Sequence, residues 1–221
     1  MPEQSKGFTL IELLVVIAIT AIMAIIAFPN FNQWLSSRRA ATQAEQIANL
    51  LRFARGEAVR LNLPVYVCPA QIKSDGKAQS QCSLKYINQG MFAFADVNSD
   101  EDYDSDDNDI SLRTLILTPS TDTQKVAYTF QTCDFSGECT SGSNNIWAYY
   151  PDGTFGYSTA MGEKSSFNIA QGYVKIALTD YNADTDDEKA ARASVVLIDS
   201  SGRAEVCAKS DTRTLCEYPE S

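Results

Sequence analysis

The sequence predicts an α+β fold in which one long amino-terminal helix packs on antiparallel β-sheet. Three observations carry this. Residues 8–28 form an almost wholly apolar run. Apolar residues then recur at helical spacing as far as Leu61. Beyond Pro64 the texture changes to short β-branched and aromatic runs separated by Gly, Asn, Asp and Ser. A chain of 221 residues has room for one globular domain besides a membrane segment.

The helix comes first. The run 8–28, at ~1.5 Å per residue, reaches ~31 Å, enough to cross a bilayer core. Lys6 precedes it and Arg38 and Arg39 follow it, so charge leaves its orientation open. An ordinary secretory signal would end in a small-residue cleavage site and non-helical chain. Here the helical pattern continues through Leu35, Ala41, Ile47, Leu50, Leu51, Ala54, Ala58 and Leu61, the predicted buried face. Pro29 is expected to kink the helix without ending it, and Asn62 and Pro64 to stop it. The result is a helix of roughly fifty residues, apolar all round in its first half and amphipathic in its second. Glu12 is the single carboxylate in the apolar run. At the centre of a membrane such a group costs ~2.5–3.5 kcal/mol, so a neutralising partner is expected.

The strands follow in order: 64–68, 90–96, 111–118, 125–131, 145–150, 154–157, 173–179, 194–199 and 204–207. PDG at 151–153 and SSG at 200–202 supply tight connectors. No repeat of solenoid period is present.

Composition narrows the chemistry. The net charge of −10 opposes general nucleic-acid binding, which needs cations to displace counterions from phosphates. The chain contains no histidine, which removes Ser-His-Asp and Cys-His catalysis and histidine metal ligands. It also lacks G-x-S-x-G, a Walker A loop and a Rossmann fingerprint, so no enzyme and no cofactor are expected. The six cysteines contain no C-x-x-C and all follow the apolar run, which points to disulfides in an oxidising compartment. Six cysteines allow ~15 pairings, and the sequence itself leaves the connectivity open. Sequence neighbours are the preferred scheme: Cys68–Cys82, Cys133–Cys139 and Cys207–Cys216.

The segment KGFTLIE, residues 6–12, resembles the processing site of type IV prepilins and pseudopilins. The resemblance implies cleavage after Gly7 by a prepilin peptidase and N-methylation of Phe8. Glu12 then lies one helical turn from a new amine, where it can meet the amine of a neighbouring subunit and set register. Further landmarks resemble the FimT/FimU/GspH group of minor pilins and pseudopilins. These are ANLLRFARGEAVRLNLPVYVC, Phe94 with Asp96 and Asn98, YPDG at 150–153, and SVVLIDSSGRAEVC at 194–207.

Membership implies the type IV pilin fold, divided into a leader (1–7), a transmembrane and assembly helix (8–28), an amphipathic helix half (29–62) and a periplasmic β-rich domain (63–221). It implies a single pass through the inner membrane and a place in the pilus after assembly. The implied role is that of a minor pilin, positioned near the tip, that helps initiate pilus assembly. Its partners would be other minor and major pilins, the peptidase and the inner-membrane assembly platform. Two alternatives stay open: the H-type pseudopilin of type II secretion, and a competence subunit that binds DNA.

Three local sites compete with plainer readings. In DVNSDEDYDSDDND, residues 96–109, Asp96, Asn98, Asp100 and Asp102 alternate as calcium ligands do, with Asp107 at the twelfth position. Glu101 replaces the usual glycine and Asp107 the usual glutamate, which favours a solvated acidic loop with no metal. Some relatives bind DNA through a Gly-Arg-x-Arg pattern. Here it reads Gly202, Arg203, Ala204, Glu205, with an acid in place of the second arginine. Arg203 is the one DNA contact it offers, Lys209 and Arg213 could reinforce it, and nucleic acid is not the expected partner. Arg52, Arg55 and Arg60 suit the carboxyl end of the helix dipole, with the surface they face left open. Trp34 and Trp147 are expected to be packing residues.

Overall fold

The computed structural model describes residues 8–79, 82–103, 106, 108–118, 123, 125–142, 146–158 and 168–219, the side chains of 25–30 and 168–169 excepted. Helix α1 is a single element, Leu10–Leu61, of 52 residues. It runs through position 29 and ends at Asn62, whose left-handed backbone (φ 55°) forms the cap. At its start the Thr9 hydroxyl accepts the Glu12 amide at 3.3 Å and closes the first turn.

The second half of α1 buries a stripe made of Ala40, Ala44, Ile47, Ala48, Leu51, Ala54 and Ala58, with Leu50 beside it. Their i, i+3 and i, i+4 spacing keeps them on one face. Five of these are alanines, so strands approach the helix closely. Leu35, Ala41 and Leu61, expected on the buried face, are only half-buried, because the stripe winds one residue away from them.

The strands are β1 (Val65–Pro69), β2 (Gly90–Ala95), β3 (Ile110–Ile116), β4 (Val126–Cys133), β5 (Cys139–Ser141), β6 (Ile146–Tyr149), β7 (Phe155–Ser158), β8 (Asn168–Ile169), β9 (Tyr173–Asp180), β10 (Ser194–Asp199) and β11 (Ala204–Val206). A second helix, α2, covers Asp186–Arg192. The strands make two antiparallel sheets, ordered β3-β2-β1-β6-β7-β8 and β11-β10-β9-β4-β5. The sequence pattern had suggested no such division into two.

β1 is central in the first sheet, with Val65 opposite both Ala95 and Tyr149. β9 is central in the second, with Ile176 opposite Phe130 and Val196. One core joins α1 to both sheets through Val65, Met91, Trp147, Phe155, Ile176 and Val196. Gln43 ties the two together, its amide donating to the Leu117 carbonyl at 2.8 Å and its carbonyl accepting from the Tyr128 hydroxyl.

Each sheet also buries apolar residues on its outer face. Tyr66, Phe92, Phe94 and Tyr103 cluster outside the first sheet, with Cys82 packed against them. Ala177, Val195 and Leu197 lie outside the second, beneath Cys207, Leu215, Cys216 and Tyr218. The disulfides Cys68–Cys82 and Cys207–Cys216 close these two covers, and Cys133–Cys139 closes the β4–β5 hairpin. They are the sequence-neighbour pairs.

Candidate assembly surface

Among the described residues, the large apolar side chains in the first half of α1 are not buried. From Phe8 (85% exposed) to Met23 (65%), every large apolar side chain is at least half exposed. The Thr20 hydroxyl donates to the Val16 and Ile17 carbonyls, each at 3.0 Å, so the polar atom is satisfied within the helix itself. The Glu12 carboxylate has no such internal answer: among the described residues it meets no cation. It sits one turn from exposed Phe8. Gly7 lies outside the described residues. Among the described residues no helix is long and apolar enough to cross a membrane, and the side chains at the end of the apolar run, 25–30, are not among them.

At the next turns Phe31 and Trp34 stand 6.0 Å apart, and the Arg38 guanidinium lies over the Trp34 ring at 5.5 Å. Trp34 is 54% exposed, unlike the fully buried Trp147. The packing role expected for Trp34 is therefore not met within this chain, because α1 reaches the sheets only further along.

The acidic segment is tethered at Asp96 and Tyr103, while Asn98, Ser99, Asp106 and Asn108 are exposed. Asp96 is fully buried, and its two oxygens accept the amides of Ser99 (2.6 Å) and Glu101 (3.0 Å). Asn98 accepts the Asp100 amide and Asp102 the Tyr103 amide. Tyr103 plugs the outer aromatic cluster, 4.7 Å edge-on to Phe92. Asp96 and Asp100 come together with Asp109, one oxygen from each within 4.8 Å of the others. Asp107 lies outside the described residues. Two members of the alternating set, Asp96 and Asp100, are thus joined by Asp109, and each of these side chains, like those of Asn98 and Asp102, already accepts a backbone amide.

The β10–β11 turn is built by Asp199, whose Oδ1 accepts the Ser201 amide (2.9 Å), the Ser201 hydroxyl (2.6 Å) and the Arg203 amide (3.0 Å). Burial alone would raise the Asp199 pKa; these hydrogen bonds, with Arg55 nearby, outweigh it and hold the group below its ordinary value. Gly202 sits at φ +75°, and a Cβ there would fall 2.7 Å from the Tyr149 ring, so only glycine fits. Burial pushes the Tyr149 phenol well above its ordinary range, with Arg55 pulling the other way.

Of the cations offered to support Arg203, neither does so. Arg213 pairs with Asp211 (2.7 Å) and Glu205 (2.8 Å), and Lys209 donates to the Ala191 and Ala193 carbonyls at the end of α2. Instead Arg203 faces Arg52 and Arg55 of α1 across a groove. Arg52 is fixed there by its Nε donating to the Ala204 carbonyl at 3.0 Å. Sequence reading missed this grouping, because the partners stand 152 residues apart.

The long helix, its bare apolar half and the two sheets define a pilin-like subunit. Residues 4–28 match the prokaryotic N-terminal methylation motif, and residues 43–202 match the family described as type II transport protein GspH. The chain belongs to the GspH family of type IV pilin-like proteins. Among solved structures it is similar to the type IV minor pilin FimU of Pseudomonas aeruginosa in two crystal forms. One likeness has 15% identity and TM-score 0.44, covering 79% of this chain and 92% of that one. The other has 15% identity and TM-score 0.42, covering 77% and 94%.

Proposed function

We propose that the chain is a minor type IV pilin. It is cut after Gly7 and methylated on Phe8, and it enters the filament near its tip, where it helps initiate assembly. The observation that supports this best is the apolar half of α1, bare along its whole described length, with one carboxylate, a turn from the new amino terminus, that meets no cation among the described residues. Before assembly this half lies in the inner membrane, with the two-sheet domain in the periplasm, where its disulfides persist. In a filament the same surface packs on neighbouring subunits, and the Glu12 carboxylate meets a neighbour's Phe8 ammonium. The desolvation cost of each charge then serves register. The subunit's work is structural, and in the processing step it is the peptidase's substrate.

A second reading is favoured by the family match itself, whose description names type II transport. The chain would then be the H-type pseudopilin of a secretion system. Mass spectrometry of the chain recovered from sheared surface filaments separates the two. The pilin reading expects an N-methylated Phe8 terminus in that fraction. A retained leader contradicts it. Absence from filaments, with recovery among secretion-system proteins, transfers the chain to the second reading.

A further inference from the structure

A groove of about 330 Å³ lies between α1 and the β10–β11 turn, lined by Arg52, Arg55, Gly202, Arg203, Ala204 and Glu205. We propose that it is a carboxylate-binding site that receives an acidic peptide segment of a neighbouring subunit. The partner, though not the site, rests on the filament-subunit reading above.

The charges explain the choice. Arg55 and Arg203 are exposed, and among the described residues neither guanidinium has a hydrogen bond or a close ion pair. On a chain of net charge −10, two arginines left in this state on one small groove stand out. Arg52 forms the fixed wall: it holds the Ala204 carbonyl and Asn49 Oδ1 (3.0 Å), with Glu45 at 3.8 Å. The nearby acids are already committed. Asp199 Oδ1 takes three donors of its own turn, and Glu205 is paired with Arg213 at 2.8 Å. These acids keep their negative charge, but among the described residues neither makes a close ion pair with Arg55 or Arg203, so both guanidinium forks stay open to an incoming carboxylate.

Geometry and context favour a carboxylate over a polyphosphate. A guanidinium fork matches a carboxylate with two parallel hydrogen bonds. A nucleic-acid strand needs a track of cations to release its counterions. Here the groove is short, and an acid, Glu205, stands among its lining residues. A second copy of this chain carries acidic sequence in residues 96–109, where Asp106 is exposed. Such a contact would lock the end of α1 and the β10–β11 turn of one subunit onto the next.

The test uses the full chain in neutral detergent. The probe is a fluorescent peptide, DVNSDEDYDSDDND, read by anisotropy at low salt. Controls are a peptide with every Asp and Glu replaced by Asn and Gln, and a single-stranded oligonucleotide. The acidic peptide is expected to bind and the neutral one not. Arg55→Gln and Arg203→Gln should each weaken binding about tenfold, the size expected for one charge-assisted hydrogen bond. Arg203→Lys should recover part of the loss, and Lys85→Gln, outside the groove, should change nothing. Unfolding midpoints of the same samples confirm that the variants fold. Three results overturn the proposal: no binding of the acidic peptide, equal binding by the Arg55→Gln/Arg203→Gln double variant, or tighter binding of the oligonucleotide through the same arginines. The titration needs no filament, so its failure removes the site whatever assembly shows. A leader retained in filaments would remove the subunit reading and leave the titration result standing.

Discussion

The two halves of α1 are one continuous helix with opposite fates. The second half carries an alanine-rich stripe, wholly buried between two sheets. The first half is apolar on every side, and none of its described large side chains is buried. A helix that is apolar all round needs partners in every direction, whereas a striped one needs them in one. The globular domain satisfies the stripe completely and leaves the other half for something outside the chain. The same contrast shows in the charges: Asp96 and Asp180 are buried with partners supplied by their own chain, while Glu12 waits for one.

The strongest way to break this contrast is to truncate one residue in each half. Leu51→Ala should destabilise the full chain in detergent by about 2–5 kcal/mol in urea unfolding, as a large-to-small change in a packed core does. Ile17→Ala should leave the domain's midpoint within about 0.5 kcal/mol. Equal effects would mean that the halves are not energetically separate.

The covers over the outer sheet faces come next. Replacing Cys207 and Cys216 by serine should cost about 2–4 kcal/mol and loosen the contact of Leu215 and Tyr218 with Val195 and Leu197. An unchanged melting temperature under reductant would show that the covers hold without their cross-links.

A smaller effect concerns Asp180, whose carboxylate takes the Arg192 guanidinium at 2.9 Å. Burial pushes its pKa up, but hydrogen bonds from Ser36, the Asn182 amide and Arg192 outweigh this and hold it below the ordinary value. A depressed folded pKa gives stability that is present above the unfolded value of about 4 and is lost as pH falls through the folded value. Asp180→Asn should therefore lose about 1–2 kcal/mol at pH ~7, and the gap to the parent should narrow as pH falls below about 4. A gap independent of pH would contradict the charge-based account.

The smallest expected change has the opposite sign. Lys175 is 4% exposed on the outer face of β9, and burial lowers its pKa, with Glu217 only partly opposing it. Lys175→Met should stabilise the domain by up to about 1 kcal/mol, because a desolvated charge gives way to apolar surface. Loss of stability would place a needed contact at its ammonium.

Much of this architecture is legible in the sequence because it is local. Helical periodicity locates α1, and Asn62 marks its end. The eight-residue rhythm of β9 and the apolar run of β10 need no distant information. The division into two sheets does not show, because strand partners are chosen by long-range packing: β4 pairs with β9, not with its sequence neighbour β3. Helix α2 has a local start signal of its own. Thr185 accepts the Glu188 amide at 3.2 Å, and T-x-x-E is a recognisable helix start. The strands β5 and β8 are too short to carry a pattern. Glu12 is visible as an anomaly of charge in an apolar run, whereas the arginine groove exists only once α1 meets the β10–β11 turn.

The most direct measurement is the distribution of a Glu12→Val chain between membrane and filament fractions. Membrane insertion should equal that of the parent, since an apolar run has only become more apolar, while incorporation into filaments should fall to background. Normal incorporation of the variant would contradict the account, because the unanswered carboxylate would then have no part in bringing subunits together.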